Sequence, residues 1–393
     1  MTEFAPVLAQ SKKILREYDL CDYCLGRIYV KKLGLTSNKQ LGRKIRKNIR
    51  KKNTKCYICK NIFESLTYYL AKLLEISSEY EFRTFLIGAI LKPSILDRDD
   101  QIRSQFKLKG IDSVKTNITR ELAKQFSKKT RKKYEPVEPD LTFTVDFKTE
   151  SCTVQSKPLY VSGRYIKQTR GIPQKQKPCE NCSGKGCVNC NHHGMSEFNS
   201  VEGMICKYLF ERFGAQQAKI TWIGGEDANS LVLGHGRPFF AKIINPKKRS
   251  PKIPKKIRSD KIIIKSLKLI NKMPVGPVQF VSKVKILVNT EKPVSTNDLS
   301  RLDQLKKTTL AIYENSGRRA EKLIYDVSYN LESDNSFYLY LRIDGGVPLK
   351  RLVSGENVFP NISEIISNNS KCETFDFEDI KLTNQHFYIH TIG

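Results

Sequence analysis

Apolar residues recur at two spacings along the chain, and each spacing predicts one kind of element. In the stretch KQLGRKIRKNIRKK, Leu41, Ile45 and Ile49 stand four apart with cations between them. This is the spacing of one face of an α-helix. The pattern predicts a helix with a narrow buried stripe and a basic outer face, which either stays solvated or contacts phosphates.

The following part of the chain mixes helix and strand patterns. TNITRELAKQFSKK begins with the polar residues Thr116 and Asn117, which suit the start of a helix. Apolar residues then follow at helical spacing, at Ile118, Leu122 and Phe126. The stretch LTFTVDF alternates apolar and polar residues instead, which predicts a half-buried strand.

From about residue 156, strand patterns dominate. VQFVSKVKILV and SFYLYLRID both alternate, and the second has four apolar residues on one face, Phe337, Leu339, Leu341 and Ile343. The predicted fold class is α+β: a mixed, mostly antiparallel sheet flanked by helices, preceded by an α/β accessory part. The basic, proline-interrupted stretch NPKKRSPKIPKKIRSDK is predicted to be an exposed loop.

Cysteines predict two metal sites. Eight of the eleven form C-x-x-C pairs: Cys21/Cys24, Cys56/Cys59, Cys179/Cys182 and Cys187/Cys190. Two such pairs bind one Zn²⁺ tetrahedrally, and four thiolates leave no open position, so both ions would be structural. Redox chemistry is the alternative, but redox motifs come singly. The other three are predicted to be core residues: Cys152, Cys206 and Cys372.

Three domains follow from these changes of pattern. They are an N-terminal zinc-binding module at 1–65, an α/β domain at 66–155 and a larger domain at 156–393. The second group of cysteines forms a zinc knuckle at 179–190 within the largest domain.

The formal net charge of +29 indicates a polyanionic partner. A solvated, lysine-rich surface is the alternative, and an anionic membrane is a rival partner. However, no apolar run of about 18 residues could span a bilayer, and the N-terminus lacks the apolar core of a signal peptide. A cytoplasmic location without a membrane partner is therefore expected. No Walker or Rossmann glycine motif is present, so no organic cofactor is expected.

The stretch WIGGEDANSLVLGHGRPFFAKIINPKKR places an acidic pair on a glycine-rich turn of this basic chain. Asp227 could simply cap the turn. Alternatively, it is a catalytic carboxylate that attacks a sugar C1′ or stabilises an oxocarbenium-like state. Arg237 follows along the predicted hairpin, where it could pair with Asp227 or grip a phosphate.

Further residues are candidates for RNA contact. In GRYIKQTRG they are Arg164, Tyr165, Lys167 and Arg170, whose cations either face the cleft of Asp227 or form a solvated strand edge. The cations that end the acidic stretch would hold the RNA backbone: Lys247, Lys248 and Arg249.

Three stretches occur in a fixed order: PLYVSGRYIKQTRGIPQ, CENCSGKGCVNC and GGEDANSLVLGHGRPFFAKIINP. Together they resemble the tRNA pseudouridine synthases of the Pus-ten type, and the first 155 residues are similar to that family's zinc module and THUMP-type RNA-binding domain. The resemblance implies isomerisation of uridine in the tRNA T-arm, at position 55 and in some members 54. It assigns catalysis to Asp227 and a site role to Lys350, and it implies no obligate protein partner.

The chain departs from this family's pattern at two important positions. Gly225 stands where the family has an arginine, and Pro348 where it has a tyrosine that packs on the target base. Three tyrosines are candidates to replace it: Tyr165, Tyr338 and Tyr340. A catalytically weakened tRNA-binding protein or RNA chaperone is therefore the alternative. A zinc-dependent nucleic-acid-binding module without enzyme ancestry would not explain the ordered motifs.

Overall fold

The computed structural model of the chain describes residues 5–35, 37–52, 55–259, 261–314 and 316–383. The chain divides into two units, Met1–Lys157 and Pro158–Gly393. No helix in the described ranges is both long enough and apolar enough to cross a bilayer.

The first unit surrounds a small sheet with helices. The helices are α1 (Ala5–Glu17), α2 (Asp22–Tyr29), α3 (Asn38–Ile49), α4 (Ile62–Ser77), α5 (Pro93–Gln105) and α6 (Val114–Thr130). The strands are β1 (Thr84–Ile90), β2 (Lys133–Tyr134), β3 (Leu141–Asp146) and β4 (Ser151–Ser156). The strand order is β2-β1-β3-β4, and β1 is parallel to both of its neighbours whereas β4 is antiparallel to β3.

Helix α3 confirms the four-residue spacing of the sequence. The first two residues of its apolar stripe are buried and the third is partly buried. It packs so closely on α2 that both helices need glycine where they meet. A Cβ added to Gly26 would lie 1.8 Å from the carbonyl oxygen of Asn38, and one added to Gly42 would lie 1.9 Å from that of Asp22.

Helix α6 is also confirmed, although it begins earlier than predicted. Its N-cap is Ser113, whose Oγ accepts a hydrogen bond from the Thr116 N–H at 3.1 Å. The predicted start was two polar residues that in fact lie in the first turn. A serine that caps a helix looks like any loop residue until the helix is known. The three predicted apolar residues are fully buried: Ile118, Leu122 and Phe126.

One hydrophobic core runs across the predicted boundary at residue 65. It contains apolar side chains from Val7 to Phe147. Within it, the guanidinium of Arg27 in α2 forms a buried ion pair with Asp99 in α5 through both of its terminal nitrogens. The segment with the first four paired cysteines and the following α/β segment are therefore packed as one unit, and their separation into two domains stays a prediction.

The second unit is built on one large sheet. Its helices are α7 (Val201–Phe213), α8 (Thr296–Ser300), α9 (Leu349–Ser354) and α10 (Ile362–Ile365). Its strands are β5 (Leu159–Lys167), β6 (Gln217–Trp222), β7 (Val232–Ile244), β8 (Lys256–Arg258), β9 (Ile262–Ile270), β10 (Phe280–Thr290), β11 (Thr309–Tyr313), β12 (Arg319–Ser333), β13 (Ser336–Asp344), β14 (Val358–Phe359) and β15 (Ser370–Leu382).

The sheet order is β14-β11-β12-β13-β10-β15-β7-β5-β9-β8, with β6 also paired to β7. Among the described strands, β15 and β7 are parallel and all other pairs of this sheet are antiparallel. This confirms the predicted α+β class with a mixed, mostly antiparallel sheet. The alternation in SFYLYLRID is also confirmed, because its four apolar residues are buried on one face of β13.

Two smaller expectations need correction. The basic loop after β7 contains the short strand β8, which pairs with β9 because its backbone can extend that edge of the sheet. Of the three lone cysteines, Cys206 is fully buried, whereas Cys152 and Cys372 are only partly buried. The prediction of three core cysteines is thus confirmed for one.

Candidate active site and metal sites

The acidic pair lies on the loop 223–231, which joins β6 to β7. Gly224 has a φ of +75°, which favours glycine. A Cβ added there would lie 2.7 Å from Nη1 of Arg237. The two acids of this loop differ in burial. The side chain of Glu226 is fully buried, whereas that of Asp227 is 30% exposed.

Asp227 is paired with a lysine from the other side of a cleft. The Nζ of Lys350, in the first turn of α9, donates to Asp227 Oδ2 at 2.5 Å. The backbone N–H of Asn229 donates to Asp227 Oδ1 at 3.2 Å. Asp227 therefore caps its own turn and also presents a carboxylate to the cleft. The capping interpretation is confirmed, and the catalytic role stays a prediction.

The cleft has a volume of about 530 Å³ and mostly apolar walls. Strand β10 lines it with every second residue, at Phe280, Ser282 and Val284. Phe375 and Phe377 come from β15, and Pro348 and Leu349 from the start of α9. A concave apolar site with a few polar groups is typical of ligand binding. The size and the aromatic rings suit one nucleotide base lifted out of its stack.

The Asp227–Lys350 pair carries both charges at neutral pH. The hydrogen bond from Lys350, helped by that from the Asn229 N–H, holds the pKa of Asp227 below its ordinary value. The same bond raises the pKa of Lys350. Burial raises the pKa of the nearby Cys372 thiol to about 11, so this thiol stays neutral. Asp227 is thus available as an anionic nucleophile or as a stabiliser of positive charge.

Beneath the loop, Glu226 is the centre of a buried polar network. Arg237 Nε donates to Glu226 Oε2 at 3.2 Å, and the Tyr165 hydroxyl donates to the same oxygen at 2.8 Å. Lys167 Nζ lies 3.2 Å from Glu226 Oε1. The predicted pairing of Arg237 with Asp227 is wrong, because the buried arginine turns inward to Glu226.

The cations of GRYIKQTRG do not line the cleft. Arg164 donates to backbone carbonyl oxygens of neighbouring strands, and Arg170 forms two hydrogen bonds of 2.7 and 2.8 Å with Asp376. Arg170 is 41% exposed, so its contact with RNA stays a prediction. Tyr165 and Lys167 are fully buried and therefore have no surface that RNA could touch in this structure.

The basic run after β7 lies at the other end of that strand from Asp227. The N–H groups of Lys247 and Lys248 both donate to the carbonyl oxygen of Phe213, at the C-terminus of α7. Ile243 pairs with Leu159 and Val232 with Lys167, so this length of β7 runs beside eight residue steps of β5, roughly 26 Å at 3.3 Å per residue. Any contact of RNA with Lys247, Lys248 or Arg249 would therefore be remote from the cleft.

Both predicted cysteine groups assemble. In each group, the four Sγ atoms lie within 4.8 Å of one another, and all eight thiols are free of disulfides. The Sγ atoms of Cys21 and Cys59 are 3.6 Å apart, and those of Cys182 and Cys190 are 3.8 Å apart. Tetrahedral Zn–S bonds of about 2.3 Å place sulfurs about 3.8 Å apart. The spacing therefore fits a metal ion of this size.

The backbone around the knuckle also suits thiolates. Gly186 N–H donates to Cys182 Sγ at 3.2 Å, and the N–H groups of Cys187 and Gly194 both donate to Cys190 Sγ at 3.3 Å. These donors, led by Cys187, lower the pKa of Cys190 to about 6. Both cysteine groups could hold metal ions.

Family comparisons agree with this architecture. The family model described as "Pus10, C-terminal" matches residues 160–381, and the model "Pus10 THUMP domain, archaeal" matches residues 69–146. The first match alone covers more than half of the chain, from β5 into β15. The chain belongs to the Pus10 family.

Curated relatives in the Pus10 family extend over nearly the whole chain. The tRNA pseudouridine synthase Pus10 of Nitrosopumilus maritimus is 47% identical over 97% of this chain and 100% of its own length. That of Cenarchaeum symbiosum is 38% identical over 93% and 90%, respectively. That of Methanocaldococcus jannaschii is 30% identical over 93% and 92%. The family is one of RNA isomerases with an RNA-binding THUMP domain, as the motifs implied.

The two main departures that the family resemblance implies lie at the cleft itself. Both Gly225 and Pro348 line it. A Cβ added to Gly225 would meet, among the described atoms, only Gln174 Oε1 at 3.9 Å, so a larger side chain fits there. None of the lining residues is a tyrosine; Tyr165 is buried in the core, and Tyr338 and Tyr340 lie on the face of β13 opposite its buried residues. The aromatic residues of the cleft are phenylalanines.

Several residues that shape the Pus10-type site gave no sequence signal. Glu226 looked like half of an acidic pair in a loop, and its buried partners are far away along the chain. Gln174, which donates to the Tyr165 hydroxyl at 3.0 Å, was visible only as part of GIPQ. Asp376 sits in an acidic strand stretch, FDFED, that resembles any exposed edge. The local sequence around these residues does not indicate which side chains are in contact in the fold.

Proposed function

We propose that this chain isomerises uridine to pseudouridine in the T-arm of tRNA, at position 55. The observation that carries the proposal is an ionised, partly exposed Asp227, held by Lys350 in an apolar cleft of about 530 Å³. Family membership and the names of the relatives support this reaction and this class of RNA. Asp227 is the residue that matches the family's catalytic aspartate.

In this reaction, the N1–C1′ bond breaks, the base turns, and a C5–C1′ bond forms. The carbon C5 loses a proton and N1 gains one, so no oxidant or reductant is needed. The carboxylate of Asp227 either attacks C1′ or stabilises the oxocarbenium-like sugar. A base inside folded RNA must first be flipped out. The apolar walls of the cleft would exclude water while the base is detached.

Two buried polar atoms behind the cleft lining lack partners. Ser282 Oγ and Arg237 Nη2 have no hydrogen-bond partner among the described residues. A buried donor or acceptor without a partner is costly, and a ligand can satisfy it. Uracil offers two carbonyl oxygens and an N–H on one edge, but both protein atoms are buried, so the ring would reach them only after the cleft lining moves.

The partner, the metals and the location follow from the same proposal. Transfer RNA is the polyanion that the net charge of +29 would attract. Zn²⁺ is the ion we assign to both cysteine groups, because four thiolates and tetrahedral spacing favour it over harder cations. A tRNA-modifying enzyme of this kind would work in the cytoplasm.

A tRNA-binding protein that has lost turnover is the second candidate. It is favoured by Gly225 and Pro348, which line the cleft where the resemblance implies an arginine and a tyrosine. Phenylalanine can stack on a base but cannot take part in proton transfer. Only a measurement of product separates this candidate from the enzyme.

The deciding experiment compares wild type with Asp227→Asn on an unmodified tRNA transcript, with pseudouridine mapped at single-nucleotide resolution. The rate should fall on the order of 10³-fold or more, because an amide is neither a nucleophile nor an anion. Transfer RNA affinity should stay within about twofold, since affinity rests mainly on phosphate contacts. Asp379→Asn makes the same chemical change at a carboxylate that binds His235 outside the cleft, and should be fully active.

Product at position 55 from wild type alone would establish the enzyme. The same map reads position 54, which tells whether both uridines are targets. Product from Asp227→Asn would remove this residue from catalysis. Tight binding without product from any variant would favour the second candidate.

A further inference from the structure

Lys167 is a lysine with a fully buried side chain. Burial of an ammonium ion away from water is unfavourable unless the ion is paired and hydrogen-bonded. Here burial lowers its pKa, and the carboxylate of Glu226 opposes that effect. An apolar side chain of similar size would fill the same space without burying a charge. The presence of a lysine here therefore indicates that the hydrogen bonds of Nζ have a role.

Those contacts converge on the loop that carries Asp227. Lys167 Nζ donates to the carbonyl oxygen of Asp227 itself at 2.9 Å and to that of Ala228 at 3.2 Å. A third bond, of 3.0 Å, goes to the carbonyl oxygen of Ile172. One ammonium group thus joins the loop 223–231 to the segment that follows β5.

The last residues of the same loop are held separately. Arg170 donates to the carbonyl oxygen of Asn229 and, through two bonds, to Asp376. Asp376 in turn accepts from the N–H of Leu231 at 2.8 Å. The loop is therefore fixed at Asp227 and Ala228 and again at Asn229 and Leu231, in each case with the help of a cation from GRYIKQTRG.

We propose that Lys167 is a positioning residue for the reaction, which holds the backbone of Asp227 so that its carboxylate meets C1′ of the flipped nucleotide. The inference rests on the proposed function for the role of Asp227. Glu226, fixed by Arg237 and Tyr165, lies 3.2 Å from Lys167 Nζ and favours its charged form beside the loop. A displacement of about 1 Å at a reacting group can cost about 10²-fold in rate.

The test replaces Lys167 with methionine, which keeps the length of the side chain and removes its donors. Lys265→Met is the matched control, because Lys265 Nζ also donates to a backbone carbonyl, that of Gly234 at 3.0 Å, but away from the loop. Three quantities are measured on the full chain: hydrogen exchange of the peptide 223–231, affinity for tRNA, and the single-turnover rate.

For Lys167→Met, exchange in 223–231 should rise about tenfold, because the loop opens locally. The rate should fall about 10²-fold while the Kd for tRNA stays within about twofold. Lys265→Met should match wild type in all three. A general loss of structure would instead accelerate exchange throughout the unit and weaken binding in parallel.

The proposal would be overturned if folded Lys167→Met showed the same hydrogen-exchange rate in 223–231 as wild type. It would also be overturned if the single-turnover rate of this variant stayed within about threefold of wild type. Should Lys167→Met not fold, Lys167→Met with Glu226→Gln removes both charges of the pair and is judged by the same criteria. Asp227→Asn separates the two ideas. Product from Asp227→Asn, or no product from wild type, would contradict the proposed catalytic role of Asp227. In that case, the hydrogen exchange of the peptide 223–231 alone would decide whether Lys167 holds the loop.

Discussion

At the residue scale, one neighbour makes the largest contribution to the low pKa of Asp227. Lys350 lowers the pKa of Asp227, so the carboxylate stays ionised until the pH falls through that lowered value. Lys350→Met removes the bond and raises the pKa of Asp227, so the acidic limb of the pH–rate profile should move to higher pH. At pH 7 the carboxylate is ionised in both proteins, and the rate there should fall about tenfold, equivalent to about 1.4 kcal/mol, because Asp227 loses the contact that orients it.

The measurement is the single-turnover rate from pH 4 to 9. Lys381→Met is the control, because Lys381 lies 4.0 Å from Asp379, outside the cleft. An acidic limb that stays in place in Lys350→Met would show that Lys350 does not set the ionisation of Asp227.

Residue by residue, sequence reasoning found the chemistry but not the buried partners. Asp227 stood out because an acid on a glycine-rich turn of a basic chain is unusual. The sequence predicts Lys167 and Tyr165 as RNA contacts, because a lysine on a strand is normally solvated. Their burial depends on Glu226, about sixty residues further along the chain, which no local pattern connects to them. The pairing of Arg237 with Asp227 is wrong for the same reason, because Glu226 is its partner, and its contact with substrate stays a prediction.

At the element scale, the crossing of α2 and α3 depends on two glycines. Gly42→Ala places a Cβ 1.9 Å from the carbonyl oxygen of Asp22, so the helices must separate. We expect a loss of about 3 kcal/mol in the free energy of unfolding, measured by urea denaturation. Gly88→Ala is the control, since its Cβ would meet its nearest neighbour at an ordinary 3.7 Å. Equal stability of the two variants would contradict the crossing geometry.

The cysteine groups predict a metal count. Purified chain should carry two zinc ions by elemental analysis, and Cys24→Ala should carry one, because three thiolates hold Zn²⁺ far more weakly than four. Cys206→Ala removes a buried thiol that belongs to neither group and should keep both ions. Removal of zinc by a chelator should also lower the melting temperature. Two ions in Cys24→Ala would exclude the first group as a site.

Elements with a strong period were predictable, and weak ones were not. Helices α3 and α6 and strand β13 follow their periods because each has one face against a core. The sequence does not predict the short strand β8, since three residues after Pro254 are too few to show alternation, and its strand conformation comes from the pairing with β9. Ser113 as a helix cap was missed because a capping hydroxyl matters only once the next turn has formed.

At the scale of the whole molecule, the excess of 69 basic over 40 acidic residues should govern RNA binding. Phosphate neutralisation releases counterions, so affinity for tRNA should fall about 10³-fold or more between about 50 and 200 mM salt. Filter binding across that range, with wild type and Asp227→Asn, should give the same slope for both. A flat dependence would mean that the charge is a solvated surface and not an RNA-binding one.

A domain boundary could be predicted from the sequence where the pattern of residues changes. It could not be predicted where the boundary depends on which side chains pack together. The change to strand patterns near residue 156 lies close to the division between the two units at Lys157 and Pro158. The predicted boundary at 65 lies inside a shared core, which the ion pair between Arg27 and Asp99 crosses. A buried pair over such a separation is invisible to any window along the sequence.

Strand β15 sits between β10 and β7, and so it joins the two halves of the large sheet although it is the last of the described strands along the chain. A ribosome delivers the chain in order, at about 5–20 residues per second. Until Phe377 and its neighbours emerge, the cleft lacks one wall and the loop of Asp227 lacks Asp376. Under the proposed function, only chains whose synthesis has passed β15 would therefore turn over tRNA, although shorter nascent chains already carry most of the positive charge.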